Sequence, residues 1–279
     1  MEQRFVLRGF AAGALGGLLA FVFGRALAEP LIQRAIDYAS GQEAVENGLR
    51  RAAGLATAAP DPELFSRTLQ RNLGFGVGMV LFGIAMGGLS AVAYVLVTRA
   101  MRPTVRPRTV ALAVAACGFA GMFLLPFLKY PANPPGIGHP DTIHARGLLY
   151  LAMVAISVVS VTAAVLAVRP LIRRLGAWNA TLVAVVGLGV WLAIVMAVLP
   201  SLGNEAPQPL RNRSGTIVYP GFPADLLYQF RLYAVIAQLV LWGTIGIAFG
   251  ALAERLVPHF GHRTPVEPRL KGEVNVLTN

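Results

Sequence analysis

Charge is what this sequence has least of. Only 13% of its 279 residues are Asp, Glu, Lys or Arg, against about a quarter in soluble domains, which leaves too little polar surface to keep such a chain in water. No charge falls in the middle third of any long apolar block, and Arg25, Lys129, Arg231 and Glu254 all lie near block ends. Intramembrane acids mark proton-driven pumps and ion pathways, so their absence counts against a visible proton relay. The single cysteine, Cys117, excludes a disulfide framework and a cysteine-rich metal site within one chain. No nucleotide-binding motif occurs, because the glycine-rich stretch Gly74-Phe75-Gly76-Val77-Gly78 opens an apolar helix and follows no strand. No nucleophile–base pair stands out, so the chain does not read as an enzyme. The net charge of +11 does not make a nucleic-acid binder, since the basic residues form short clusters beside apolar blocks.

What the chain has in abundance is apolar sequence: 56% of its residues, with a mean hydropathy of +0.62. These residues neither alternate nor keep to one helical face. They form blocks at about 9–28, 73–97, 109–128, 148–168, 180–199 and 232–252, near the ~20 residues that cross ~30 Å of hydrocarbon. A spanning segment must satisfy its own backbone hydrogen bonds, and the ten-residue alternation of a membrane barrel is absent. The expectation is an all-α integral membrane protein with about six transmembrane helices. The polytopic domain covers 1–257, with the lipid bilayer as its first partner.

Orientation follows from Lys and Arg. The short connections 99–108 and 169–179 carry seven basic residues and no acid, which places them in the cytoplasm and both termini with them (N-in, C-in); the expected location is a bacterial plasma (inner) membrane. Reagents that label cysteines from outside intact cells are therefore expected to leave positions 99–108 unlabelled. Residues 29–72 form an outer polar loop with helical parts, in which Asp61-Pro62-Glu63 reads as a helix start. Residues 258–279 read as a disordered cytoplasmic tail. The first block has a rival reading as a secretory signal cleaved after Ala26-Leu27-Ala28, against which stand Arg25 and Pro30.

Glycines repeat every four residues where helices can touch: Gly9, Gly13 and Gly17, then Gly74 and Gly78, Gly83 and Gly87, and Gly246 and Gly250. Small residues let backbones approach in lipid, so spans one, two and six are expected to form a packed core. Residues 23–29 (FGRALAE) resemble 249–254 (FGALAE), a match that fits either coincidence or a weak three-plus-three inverted repeat.

Two loops carry the remaining chemistry. In the outer loop between spans three and four, His139, Asp141 and His144 lie within six residues after three prolines. Imidazole plus carboxylate suits a divalent transition metal, although polar residues on a proline-shaped turn read the same way. Asp225, before span six, either completes such a site, pairs with Arg231 or Lys129, or caps its helix. Lys129, Tyr130, Trp178, Tyr219 and Arg231 suit membrane-interface positions. Met79, Met86, Cys117 and Met122 are ordinary core filler, and His259 and His262 an incidental pair.

These loops, with the N-terminal stretch, resemble a known family. The stretches Ala28-Glu29-Pro30, Phe127-Leu128-Lys129-Tyr130-Pro131-Ala132-Asn133-Pro134-Pro135, Gly138-His139-Pro140-Asp141-Thr142-Ile143 and Tyr219-Pro220-Gly221-Phe222-Pro223-Ala224-Asp225 are similar to those of CbtA-type proteins. The resemblance extends from the first span to about Leu256. It implies a cobalt transporter subunit linked to cobalamin supply and often encoded beside CbtB, a small single-span partner containing histidine. It implies no permanently bound cofactor, with cobalt as the substrate. It fixes no ligand, and His144 is less typical of the family's loop. Family members are usually described with five spans. The leading expectation is transport of cobalt or a related divalent metal ion. The alternative is a structural or assembly subunit of a membrane complex without transport activity of its own.

Overall fold

The computed structural model describes residues 2–57, 66–101, 105–138, 140–202 and 206–256. Among these, five helical segments are long and apolar enough to cross a membrane: Glu2–Ala52, Arg67–Met101, Pro107–Lys129, Ile143–Val198 and Ala224–Glu254. The fourth has 56 residues, or about 84 Å at 1.5 Å per residue, far more than a bilayer needs. It is broken at Gly176, whose φ of 75° and ψ of 165° suit a residue without a Cβ. The chain folds back there. Trp191 Nε1 donates to Ser160 Oγ at 3.0 Å, and Leu192 packs with Met153, pairing the arms 143–175 and 177–198 as an antiparallel hairpin. Among the described residues there are therefore six helical arms, or crossings, long and apolar enough to cross a membrane, with the fourth and fifth joined by a one-residue turn.

Helix α1 (Glu2–Phe23) continues through a π-helical turn, Gly24–Ala28, into α2 (Glu29–Ala52). The second crossing is α3 (Arg67–Leu69), a π turn at Gln70–Gly74, and α4 (Phe75–Met101). The third is α5 (Pro107–Phe119), a π turn at Ala120–Leu124, and α6 (Leu125–Lys129). The hairpin is α7 (Ile143–Val198), and α8 (Ala224–Glu254) is the sixth crossing. Two of the π turns run directly into a proline, Pro30 or Pro126, in the first turn of the next helix. A proline in a running helix lacks its N–H and crowds the carbonyl four residues back. Widening the preceding turn relieves both faults without ending the helix.

Ala26, Leu27 and Ala28 thus sit inside a continuous helix of 51 residues, where the rival reading required a cleavage site. The N-terminal mass of the purified protein is expected to include residues 1–28. Residues 258–279 and the Asp61-Pro62-Glu63 helix start lie outside the described residues.

Packing centres on α1. On one face, Gly9, Gly13 and Gly17 lie against Gly87, Gly83 and Met79 of antiparallel α4, so close that a Cβ at any of the three would overlap the facing backbone. On another face, Gly16 lies against Leu241 of α8, where a Cβ would come within 2.9 Å of the carbonyl oxygen. Gly246 and Gly250 of α8 in turn pack on Leu112, Ala115 and Ala111 of α5. The order α4–α1–α8–α5 joins crossings two, one, six and three, so the packing unit is not a three-span half. Gly74 and Gly78 correct the sequence reading. Among the described residues nothing lies within 4 Å of a Cβ built at Gly78, and only a carbonyl of its own segment, at 3.8 Å, near one at Gly74. The α7 hairpin is peripheral and exposes Val159, Leu166, Val185, Val186 and Val198.

The start of α1 and the end of α8 come to one face. Arg8 donates to the Leu252 carbonyl, Arg99 pairs with Glu2, and Arg108 with Glu254. Arg169 of α7 donates to the carbonyls of Ala100, at 3.1 Å, and Met101. The other face, the loop face, carries α2, the 130–138 loop and a two-stranded ribbon, β1 (Leu210–Arg211) and β2 (Ile217–Tyr219).

Candidate functional site on the loop face

α2 leaves the bilayer as an extension of α1 and turns one apolar side, Leu31, Ala35 and Tyr38, toward the loops. Ile137, Phe222 and Leu226 pack on it. Gly136 and Gly138, with φ of 84° and 89°, let the chain turn on both sides of Ile137 and sink that side chain into the cluster. The Tyr38 ring meets Phe222 edge-on at 4.9 Å, and its hydroxyl donates to the Pro220 carbonyl at 2.9 Å. Tyr219 returns a bond to the Tyr38 carbonyl at 2.9 Å. Residues 206–223 are thus strapped to α2 by two phenols and an aromatic contact.

The 130–138 loop is tied to the later crossings. Tyr130 donates to the Pro200 carbonyl at 2.7 Å, and Lys129 Nζ to Ser201 Oγ at 2.9 Å. Burial pushes the Tyr130 phenol above its ordinary value of 10.0. Arg231, on the first turns of α8, donates to Asn133 Oδ1 at 2.8 Å and to the Ala132 carbonyl at 3.4 Å. Between these elements is a cavity of about 350 Å³, lined by Phe123, Phe127, Tyr130, Asn133, Arg146 and Tyr150 among others. Of the positions read from sequence as interface anchors, Tyr130 and Arg231 therefore spend their polar groups on neighbouring loops, and Tyr219 spends its hydroxyl on α2. Trp178, 76% exposed at the start of the second α7 arm, faces outward on the opposite side of the molecule.

Of the four candidate metal ligands, His139 lies outside the described residues. Asp141 sits exposed in a short 3-10 turn, Pro140–Thr142, and His144 is exposed in the first turn of α7. Asp225 is exposed in the first turn of α8, where its partner is Arg34 of α2 at 3.6 Å, not Arg231 or Lys129. The cap position of that helix is Pro223. Among the described residues no three His, Cys, Asp or Glu side chains come together as a metal cage.

The structure adds a polar cluster that sequence reasoning passed over. Glu29, 5% exposed, is the buried acid of this face and pairs with Arg67 at 2.7 Å. One turn deeper, Arg25 Nε donates to Asn72 Oδ1 at 2.9 Å. The Arg25–Asn72 pair joins the two π turns of the first and second crossings, and the Glu29–Arg67 pair joins the helices α2 and α3 that flank them. A π turn shifts the side-chain register locally and is common at functional sites. Here it aims Arg25 and Asn72 at each other across the helix pair. The one sequence signal was Glu29-Pro30 directly after an apolar block, read as the start of a loop when the helix in fact continues.

A family model described as probable cobalt transporter subunit (CbtA) matches residues 2–254. No curated protein and no solved structure matches the chain.

Proposed function

This chain belongs to the CbtA family of probable cobalt transporter subunits, and from that premise we propose that it carries cobalt, or a related divalent metal ion, across the membrane as one subunit of a transporter. The observation that carries the reading is the match across residues 2–254, which takes in all six crossings and the loop-face cap. The N-terminal face, with Arg99, Arg106, Arg108, Arg169, Arg173 and Arg174, is the cytoplasmic one by the positive-inside rule, in a bacterial inner membrane. The metal then meets the loop face first, as substrate and not as a resident cofactor, and the chain performs no catalysis of its own.

Imidazole and carboxylate donors for that first contact are His139, Asp141, His144 and Asp225. The described three are exposed and are not gathered into a three-donor group. Such contacts are weak and exchangeable, which suits a subunit that passes its ion on. A single-span, histidine-bearing CbtB-type partner would supply the remaining ligands. The test is calorimetric titration of the purified protein with Co²⁺. Asp141→Asn combined with His144→Ala is expected to weaken Co²⁺ binding at least tenfold. Stability should change by only about 0.5 kcal/mol, because exposed sites away from networks tolerate substitution. Wild-type affinity in that double variant would remove the loop from the metal's path.

A structural or assembly role is the second reading. It is favoured by the family's description as a subunit, which implies partner chains. Stable copurification with a larger partner, together with no response to Co²⁺, is its signature.

A further inference from the structure

Between α4, α5 and the first arm of α7 lies a cavity of about 590 Å³ that the loop-face chemistry does not touch. Its walls are apolar, with Leu89 and Leu96 of α4, Val114 of α5, and Val158 and Val165 of α7. Its floor is Trp242 of α8, which lies flush against Gly118.

Length and charge together say what fits there. Along α4 the lining runs from Leu89 to Met101, and along α5 and the π turn after it from Val110 to Met122, each about 18 Å at 1.5 Å per residue. That is close to one leaflet, half of the ~30 Å hydrocarbon core. The lining thus reaches from the N-terminal face, at Ala100 and Met101, to near mid-depth. A spanning helix would need a groove through both leaflets, whereas an acyl tail needs only this one.

The mouth is basic. Arg169 reaches across it from α7 to the carbonyls that end α4, Ala100 and Met101, both of which border the groove. Exposed Arg106 immediately precedes α5, whose first amides have no side-chain cap. Arg173 and Arg174 follow one turn beyond Arg169 on α7. The described acids of this face, Glu2 and Glu254, are already held by Arg99 and Arg108. Cationic side chains and a helix N-terminus both favour phosphate, and basic pockets between membrane helices take anionic headgroups.

We infer that this groove holds one acyl tail of an anionic phospholipid, with the phosphate at Arg169 and Arg106. The lipid fills the wedge between the peripheral α7 hairpin and the four-helix core. The inference stands independently of metal transport.

The test uses full-length protein carrying Trp178→Phe and Trp191→Phe, so that Trp242 is the remaining tryptophan, in phosphatidylcholine nanodiscs. Tail-brominated phosphatidylglycerol and tail-brominated phosphatidylcholine are compared as quenchers of its fluorescence. The glycerol lipid is expected to reach half-quenching at a mole fraction at least fivefold lower, since each basic group near an anionic surface contributes about a fivefold preference. Arg106→Ala with Arg169→Ala should merge the two curves, while Arg106→Lys with Arg169→Lys should keep them apart. Coincident curves in the starting protein, an undiminished preference in the alanine pair, or no quenching by either lipid (a groove closed or filled by a protein helix) would each overturn the inference.

Discussion

Gly13→Leu is expected to leave little or no stably folded protein, whereas Gly78→Leu, on the same pair of helices, should be almost silent. A Cβ at Gly13 would run into the Gly83 backbone, and Gly83 in turn faces Gly13 and Gly17. The obstacle is backbone on both sides, so no side chain can rotate aside, and the two helices must separate along their whole shared face. Overpacking in adjustable cores destabilises by about 1–3 kcal/mol, and this site should exceed that range. In lipid no hydrophobic force rejoins the helices at a larger spacing, so the loss is one of association as well as packing. Gly78 points into open space, where leucine gains about 1 kcal/mol of helix propensity over glycine. Thermal unfolding and size-exclusion profiles of the two variants in detergent decide the point. Equal behaviour would contradict the α1–α4 contact.

The second large effect belongs to Glu29. Glu29→Ala removes the partner of Arg67, whose side chain is 30% exposed against 7% for the carboxylate. Breaking a buried pair from one side costs about 3–5 kcal/mol, because a charge is left behind. Partial exposure of Arg67 places the expected loss at the lower end. Glu29→Gln keeps an acceptor for the guanidinium and should recover about half. Glu46→Ala removes an exposed i,i+4 pair with Arg50, worth about 0.3–0.5 kcal/mol, and serves as the control. Chemical unfolding of all three, with the double variant Glu29→Ala and Arg67→Ala closing the cycle, isolates the coupling. A Glu29→Ala loss no larger than that of Glu46→Ala would mean that the pair does not join the first and second crossings.

The crossings were legible because hydrocarbon imposes one demand on every stretch of chain that enters it. Apolar block length read them all, including the two that the structure joins at Gly176. What hydropathy could not give was their continuity beyond the bilayer. Residues from Glu29 onward read as an outer polar loop, yet a π turn accommodates Pro30 and α1 runs on into α2. Glycine spacing was half informative. Gly9, Gly13 and Gly17 share a face that meets α4, while Gly74 and Gly78 repeat the spacing and face nothing. Spacing says which residues share a side, but only the neighbours decide whether that side is used. Gly16 and Gly118, which lie outside any four-residue repeat, make close contacts with Leu241 and Trp242.

The loop face was the least legible part, because its contacts join residues far apart in sequence. Tyr38 with Pro220, Arg25 with Asn72, and Glu29 with Arg67 are separated by 182, 47 and 38 positions. No local pattern announces such pairs. Asp225 illustrates the limit. Its neighbours in sequence suggested Arg231, but Arg231 is engaged with Asn133 and the carboxylate turns to Arg34. The candidate ligands were chosen for chemical type and spacing, and that choice still awaits a metal titration.

Cobalt uptake at limiting external Co²⁺, in cells deleted for this chain and in the same cells complemented with it, tests the central claim most directly. Uptake is expected to fall on deletion, to return with the wild-type chain, and to return only in part with Asp141→Asn and His144→Ala combined. Uptake that is the same with and without the chain would contradict a role in cobalt transport.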